Sequence, residues 1–313
     1  MRIVIAGSGG IGGYFGARLA RAGEDVVFLA RGEHLCAMQD NGLTVRSAVD
    51  GEWKVPVSAV DSLEGQEPAD LVLFCVKSYD TQSVAELLRP VIGPETAVVS
   101  LQNGIDNEEK LAGVLGEGRV LGGVAYIFAN IEQPGVIAHH QLGRIILGEM
   151  AGGDSERASA IAETLERAGI EAAVDPAIRT TLWRKYLFLV ALSGTTAVTR
   201  LPVRFTREVA ETRELWNRQL EELIALAEAD GAGLDHDAVD TANSLLESLG
   251  ADNYSSLYHD LAAGKRLELE ALHGHAVRLG RRYGIPTPTL FAVYAALAPY
   301  LDGAPGVGSG GAG

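Results

Sequence analysis

Met1-Arg2-Ile3-Val4-Ile5-Ala6-Gly7-Ser8-Gly9-Gly10-Ile11-Gly12-Gly13 opens the chain with a β-branched run that leads straight into the spacing G-x-G-x-x-G. The apolar run predicts a buried strand, and Tyr14–Ala22 reads as the helix that follows it. Between the two, Gly7 permits a tight turn, Gly9 lets backbone N–H groups approach a pyrophosphate, and Gly12 allows the helix to pack closely on the strand. The phosphates would then sit on the helix N-terminus, cradled by Gly7, Ser8, Gly9, Gly10, Ile11 and Gly12.

The second strand, Asp25-Val26-Val27-Phe28-Leu29-Ala30, ends on Arg31-Gly32, where an NAD site usually carries an Asp or Glu for the ribose 2′-hydroxyl. Arg31 pairs instead with a 2′-phosphate, its planar fork suiting the dianion, and this favours NADPH. A solvated turn arginine, with Glu33 close by, is the competing account of the same residue.

At 313 residues the chain has room for two domains, each with a core. A formal charge of −15 argues against nucleic-acid binding, which needs cations to displace phosphate counterions. An anionic substrate must therefore be met by a few local cations or amides. Cys36 and Cys75 are the only cysteines and read as free thiols of a reducing, cytoplasmic setting. His139-His140 and His273/His275 lack further ligands at metal-binding spacing, so no metal is expected. Residues 3–13 belong to the phosphate turn, so no signal peptide is expected there, and no run of about 18 apolar residues predicts a membrane span.

Up to about residue 150, apolar runs alternate with helical stretches: Arg2–Ala6, Asp25–Ala30, Leu71–Lys77, Ala97–Leu101, Val120–Ala129 and Arg144–Gly148. That pattern predicts an α/β domain with a mostly parallel sheet covered on both faces. Beyond Ala177 helical periodicity takes over, through Leu182–Leu192, Arg207–Ala229, Ala238–Leu249, Lys265–Tyr283 and Pro288–Tyr300. The expected division is residues 1–176, residues 177–302 and a Gly-rich tail, 303–313, without fixed structure. Ligands of open α/β sheets bind outside the carboxyl ends of the strands, so the helical domain is expected to close that crevice and to supply substrate-specific residues.

Two candidates stand at predicted strand ends. Lys77 offers a cation to cofactor or substrate, or a solvated strand cap; Asn103, before Gly104, offers an amide or only a turn. In the helical half, Lys185 shares a face with Leu182, Leu189 and Ser193, and apolar flanks lower an ammonium's pKa toward values useful in proton transfer. A lysine snorkelling to water is the alternative. On a continuous helix from Lys265 to Tyr283, Glu268 borders the apolar stripe and reaches a cleft, whereas Glu270 points to solvent. Asn253 and Ser256 share a face if helical; the alternatives are a turn residue and a helix cap.

GSGGIGG with Arg31, VKSYDT at 76–81, LQNG at 101–104, LWRK at 182–185, NYSS at 253–256 and KRLELE at 265–270 together resemble ketopantoate reductases (2-dehydropantoate 2-reductases) over the chain up to about Tyr300. The resemblance implies a Rossmann-type dinucleotide-binding domain followed by an all-α C-terminal domain like that of 6-phosphogluconate dehydrogenase. It implies NADPH-dependent reduction of ketopantoate to pantoate, with Lys185 as general acid and Glu268 binding substrate and orienting the reacting groups. Asn103 would serve the nicotinamide side and the substrate, Asn253 and Ser256 the substrate's hydroxyl or carboxylate, and Lys77 both cofactor and substrate. A homodimer is an assembly suggested only by analogy. Leu189 and Ser193 stand where the family carries asparagines, Val203 falls near a third, and Leu267 replaces the usual Thr before the glutamate. The pocket is thereby less polar, which leaves another 2-keto acid or an imine as the alternative substrate. A non-catalytic NADPH sensor is the reading from a different class.

Overall fold

The computed structural model describes residues 1–305, which fall into two compact units, Met1–Leu182 and Trp183 onward. The first unit runs β1 (Arg2–Ala6), α1 (Gly10–Arg21), β2 (Asp25–Leu29), α2 (Gly32–Asn41), β3 (Leu43–Ser47), β4 (Gly51–Val55) and β5 (Ser58–Val60). It continues with β6 (Ala69–Phe74), α3 (Thr81–Leu87), β7 (Ile92–Ser100), α4 (Asn107–Leu115), β8 (Val120–Gln133), β9 (Val136–Glu149), α5 (Glu156–Arg167) and β10 (Glu171–Val174).

The ten strands form one sheet in the order β4-β3-β9-β8-β7-β6-β1-β2-β5, with β10 beside β9. From β8 to β5 every pairing is parallel. The alternation of β1 explains why its sequence is apolar without interruption. Ile3 and Ile5 face a core that includes Phe15 and Leu19 of α1, while Val4 and Ala6 face another that includes Ala85 of α3 and Leu111 of α4. A strand covered on both faces has no solvent side to mark with polar residues.

The structure corrects the expected strand list in two ways. Val120–Ala129 and Arg144–Gly148 are parts of a long antiparallel hairpin, β8 and β9, that turns at Pro134-Gly135. The structure also adds strands β3, β4, β5 and β10 to that list; they are short, and β4 is mostly exposed.

The helical part comprises α6 (Ile178–Thr199), α7 (Val203–Glu208), α8 (Ala210–Ala229), α9 (Ala238–Ser248), α10 (Ser256–Ala262), α11 (His273–Tyr283) and α12 (Pro288–Leu297). The division between the units falls within α6. The stretch expected as one helix from Arg207 breaks at Val209, whose φ of −101° and ψ of 120° are extended. Lys265–Tyr283 is likewise not continuous: Glu268–Glu270 form a 3₁₀ turn and α11 starts only at His273. Its leucines mimic a helical stripe because Leu267, Leu269 and Leu272 are buried from a turn as fully as they would be from a helix. Of the tail, Gly303 and Ala304 donate backbone hydrogen bonds to Tyr300 and Gly264; residues 306–313 lie outside the described ones.

A methyl group on Gly12 would collide with the carbonyl oxygen of Gly7 and come within 2.8 Å of Ile5 Cγ2. Helix propensity alone favours Gly→Ala by about 1 kcal/mol, but a backbone oxygen in a strand end cannot swing aside, and overpacking costs about 1–3 kcal/mol. Gly12→Ala is therefore expected to lower the unfolding free energy of the protein in chemical denaturation; an unchanged or raised midpoint would contradict this packing.

Candidate active site

In the first unit the sequence candidates gather at the carboxyl ends of four adjacent strands. The glycine turn follows β1, Arg31 follows β2, Lys77 follows β6 and Asn103 follows β7. Gly7 has φ +98°, and a side chain there would meet Val76 N at 2.7 Å. Gly9 faces open space, with no atom within 4 Å of where a Cβ would stand. No side chain caps α1, so its first-turn amides suit phosphate oxygens. Gly10 packs against the backbone of Ala129 on β8, and the Ser8 hydroxyl donates to Leu29 O at 3.0 Å. The Ser8 side chain thus ties the ends of β1 and β2.

Arg31 is 86% exposed and reaches Asp80 Oδ2 at 3.1 Å. Lys77 is half-buried at the start of a 3₁₀ turn, Ser78–Asp80. Asn103 is half-buried, and its carbonyl accepts from Asn107 Nδ2 at 2.9 Å. Gly104, with φ +112°, turns the chain immediately after it.

A polar clamp that sequence reasoning missed sets the spacing of these two loops. Gln102 Nε2 donates to Val76 O at 3.0 Å and to Thr81 Oγ1 at 2.8 Å. The Thr81 hydroxyl donates to Ser78 O at 2.8 Å. Gln102 Oε1 is buried and meets no donor among the described residues. The signal was present in sequence, since Gln102 directly precedes Asn103, but an amide inside an apolar strand end has no visible partner until the sheet brings β6 beside β7.

In the helical unit Lys185 is half-buried on α6, and its neighbours hold the helix. Trp183 Nε1 donates to Asp230 Oδ2 at 3.1 Å, Arg184 pairs with Asp235, and the buried Tyr186 hydroxyl donates to Leu272 O at 2.6 Å. Glu268 is 7% exposed, and its carbonyl accepts from Leu272 N at 3.2 Å. Tyr186 therefore fastens the helix bearing Lys185 to the turn bearing Glu268. The preceding residue, Leu267, donates its N–H to Leu301 O at 2.9 Å. Glu270 is not simply solvated as expected: it pairs with Arg278 and accepts from the Tyr294 hydroxyl at 2.5 Å.

Asn253 and Ser256 do not share a helix face. Asn253 lies in a turn whose carbonyl accepts from Val203 N at 2.9 Å, and Ser256 is the exposed first residue of α10. The cap is Ser255, whose Oγ accepts from Tyr258 N at 3.1 Å and from Thr196 Oγ1 at 2.8 Å. That second bond anchors the segment to α6, about 16 Å along the helix from Lys185 at 1.5 Å per residue.

The four histidines singled out in the sequence make local contacts within their own units. His139 is buried between the Ser47 hydroxyl, 2.8 Å from Nδ1, and Leu142 O, 2.7 Å from Nε2. His140 Nε2 lies 2.8 Å from Asn130 Oδ1, and His275 sits edge-on to Tyr186. His273 Nε2 lies 3.2 Å from Gln219 Oε1 against Gly194, and Nδ1 has no partner among the described residues. Burial pushes His273 down to about 3.

Comparison with known proteins agrees with this architecture. The family model for ketopantoate reductase PanE/ApbA matches residues 3–152, and that for its C-terminal domain matches residues 177–300. The 2-dehydropantoate 2-reductase of Archaeoglobus fulgidus is 35% identical over 291 residues, covering 91% of this chain and 92% of that protein. The crystal structure of 2-dehydropantoate 2-reductase from Geobacter metallireducens GS-15 superposes with a TM-score of 0.89 at 33% identity, covering 95% of this chain and 99% of that one. A ternary structure of D-mandelate dehydrogenase with NADH and anilino(oxo)acetate shares the fold, with a TM-score of 0.88 at 22% identity over 96% of this chain and 98% of that one.

Replacing Gln102 by Leu strands the Val76 carbonyl and takes one donor from the Thr81 hydroxyl, which keeps its bond to Ser78 O, and is expected to cost about 1–3 kcal/mol of stability in urea unfolding. His273 adds a pH dependence. Its folded value of about 3 lies below the ordinary 6.5, so between those values the unfolded chain takes up a proton that the folded chain refuses. Stability contributed by neutral His273 is full above pH 6.5 and declines as pH falls toward 3, by up to about 1.4 kcal/mol per pH unit. His273→Gln keeps a donor toward Gln219 but cannot titrate, and its stability is expected to fall less steeply below pH 6; parallel slopes would refute the assignment.

Proposed function

The chain belongs to the ketopantoate reductase PanE/ApbA family, and from that premise we propose that it reduces 2-dehydropantoate (ketopantoate) to pantoate in pantothenate and coenzyme A biosynthesis. The observation that carries the reading is the presence in one unit of a half-buried lysine, Lys185, and a buried glutamate, Glu268, on segments joined by Tyr186 and Leu272. NADPH, when bound, supplies the hydride. Gly7, Ser8, Gly9, Gly10, Ile11 and Gly12 would hold its pyrophosphate, Arg31 its 2′-phosphate, and Lys77 and Asn103 the parts nearer the reacting ring. The uncapped amides of α1 and the open space at Gly9 fit that group.

A ketone that receives a hydride must become an alkoxide of high basicity. An ammonium at hydrogen-bond range stabilises the developing charge and then delivers its proton to the oxygen. Lys185 is the group for both tasks: it lies on a helix whose only other charged residues are Arg179 and Arg184. Glu268 accepts a hydrogen bond from a substrate hydroxyl and holds the carbonyl toward Lys185. Asn103, Asn253 and Ser256 supply the remaining polar contacts of the substrate. The reading includes a cytoplasmic enzyme and a homodimer.

A second substrate assignment, a 2-keto acid more apolar than ketopantoate, is favoured by Leu189, which is half-buried one turn beyond Lys185. Val203 and Leu267 do not add to it, because both are fully buried in the packing of the unit. Steady-state oxidation of NADPH with ketopantoate, set against other branched 2-keto acids, separates the two. A kcat/KM for ketopantoate below that of the bulkier acids would favour the second assignment.

General-acid catalysis contributes about 10²–10⁴-fold. Lys185→Ala is expected to lower kcat by at least about 100-fold, with the dissociation constant for NADPH unchanged in fluorescence titration. Undiminished turnover would remove Lys185 from the mechanism.

A further inference from the structure

We propose that Asp80 sets the cofactor selectivity of this enzyme by competing with the 2′-phosphate for Arg31, so that the preference for NADPH over NADH is weaker than Arg31 alone would confer. The inference rests on the reading of Arg31 as the 2′-phosphate ligand.

The sheet order brings the two residues together. β2 and β6 flank β1 on opposite sides, which separates their ends by about 9.5 Å at a strand spacing of about 4.7–4.9 Å. Arg31 leaves the end of β2 and Asp80 closes the 3₁₀ turn that follows β6. Their ion pair, Nη2 to Oδ2 at 3.1 Å, therefore bridges the strands on either side of the glycine turn, on the carboxyl side of the sheet where the cofactor phosphates would lie.

Asp80 gives up its ordinary local task to make this bridge. It stands at the N-cap of α3, where an aspartate usually accepts from the helix's first amides, yet its side chain makes no cap hydrogen bond. The carboxylate is 22% exposed and the guanidinium 86% exposed. Arg31 is thus free to turn its fork to a ligand, while one of its N–H groups is already engaged by an anion. A 2′-phosphate, carrying close to two negative charges, has to displace that carboxylate or share the guanidinium with it. The ribose 2′-hydroxyl of NADH has no such conflict, because a hydroxyl can donate to the carboxylate.

The test is the binding of NADP⁺ and NAD⁺, followed by calorimetry, to the wild type, Asp80→Asn, Arg31→Ala and the double variant. By the usual strength of an exposed ion pair, Asp80→Asn is expected to tighten NADP⁺ by between about 1.4-fold and about fivefold relative to NAD⁺. In the Arg31→Ala background the same change should have no selective effect. Weaker NADP⁺ binding in Asp80→Asn would make Asp80 an orienting partner of Arg31 and overturn the proposal; equal shifts for both nucleotides, or no shift, would overturn it too. The underlying reading fails separately: Arg31→Ala that leaves NADP⁺ affinity unchanged would remove Arg31 from the 2′-phosphate site.

Discussion

The closeness of α1 to the sheet is the constraint on which the first unit depends. Gly12 lies over the carbonyl of Gly7, Gly10 over the backbone of Ala129, and Gly16 over the ring of Phe28. None of these approaches admits a side chain. Because the helix is pressed down at three points along its length, its N-terminus stands directly beyond the end of β1. Its unpaired amides and the positive end of its dipole are then aimed at the space beside Gly9. The same sheet aligns the ends of β2, β6 and β7, which puts Arg31, Lys77 and Asn103 around that space without any of them being adjacent in sequence.

The helical unit has a different organising contact. Tyr186 follows Lys185 directly, and its buried hydroxyl is held by the Leu272 carbonyl. A polar bond in a low-dielectric interior is costly to leave unmade, so it fixes where the Glu268 turn sits against α6. Thr196 does the same for the α10 segment through Ser255. The candidate polar groups are thus carried on this helix and on two segments registered to it, with the apolar run 186–192 between the two anchoring bonds.

Much of this was legible in the amino-acid order. Strands buried on both faces, such as β1, β2, β6 and β7, announce themselves as short apolar runs, and the glycine spacing identifies the turn. What was missed shares a physical character. Strands β3, β4 and β10 make short pairings at or near the sheet margin, where β-propensity and alternation are weak. The far half of the β8–β9 hairpin carries Asn130, Glu132, Gln133 and Gln141, polar residues that mask strand periodicity. Around Glu268 the error ran the other way: buried apolar residues at intervals of three and four, Leu269, Leu272, Ala276 and Leu279, satisfy a helical template whether the backbone is α-helix or a 3₁₀ turn. Glu268, expected at the border of a helical stripe, is buried in a 3₁₀ turn instead, and Glu270 keeps solvent access while Arg278 and Tyr294 hold it.

Local order determined the dinucleotide turn, the change from alternating α/β to helix, and the candidates Lys185, Glu268, Arg31 and Asn103, because each depends on residue type and near-neighbour spacing. Tertiary structure alone decided which of them acquire partners. The Gln102 clamp joins residues more than 20 positions apart, Arg31 meets Asp80 across β1, and Tyr186 meets Leu272 some 86 positions along the chain. Hydrogen bonds and ion pairs act over a few ångströms, and only the folded backbone brings atoms so distant in sequence within that range.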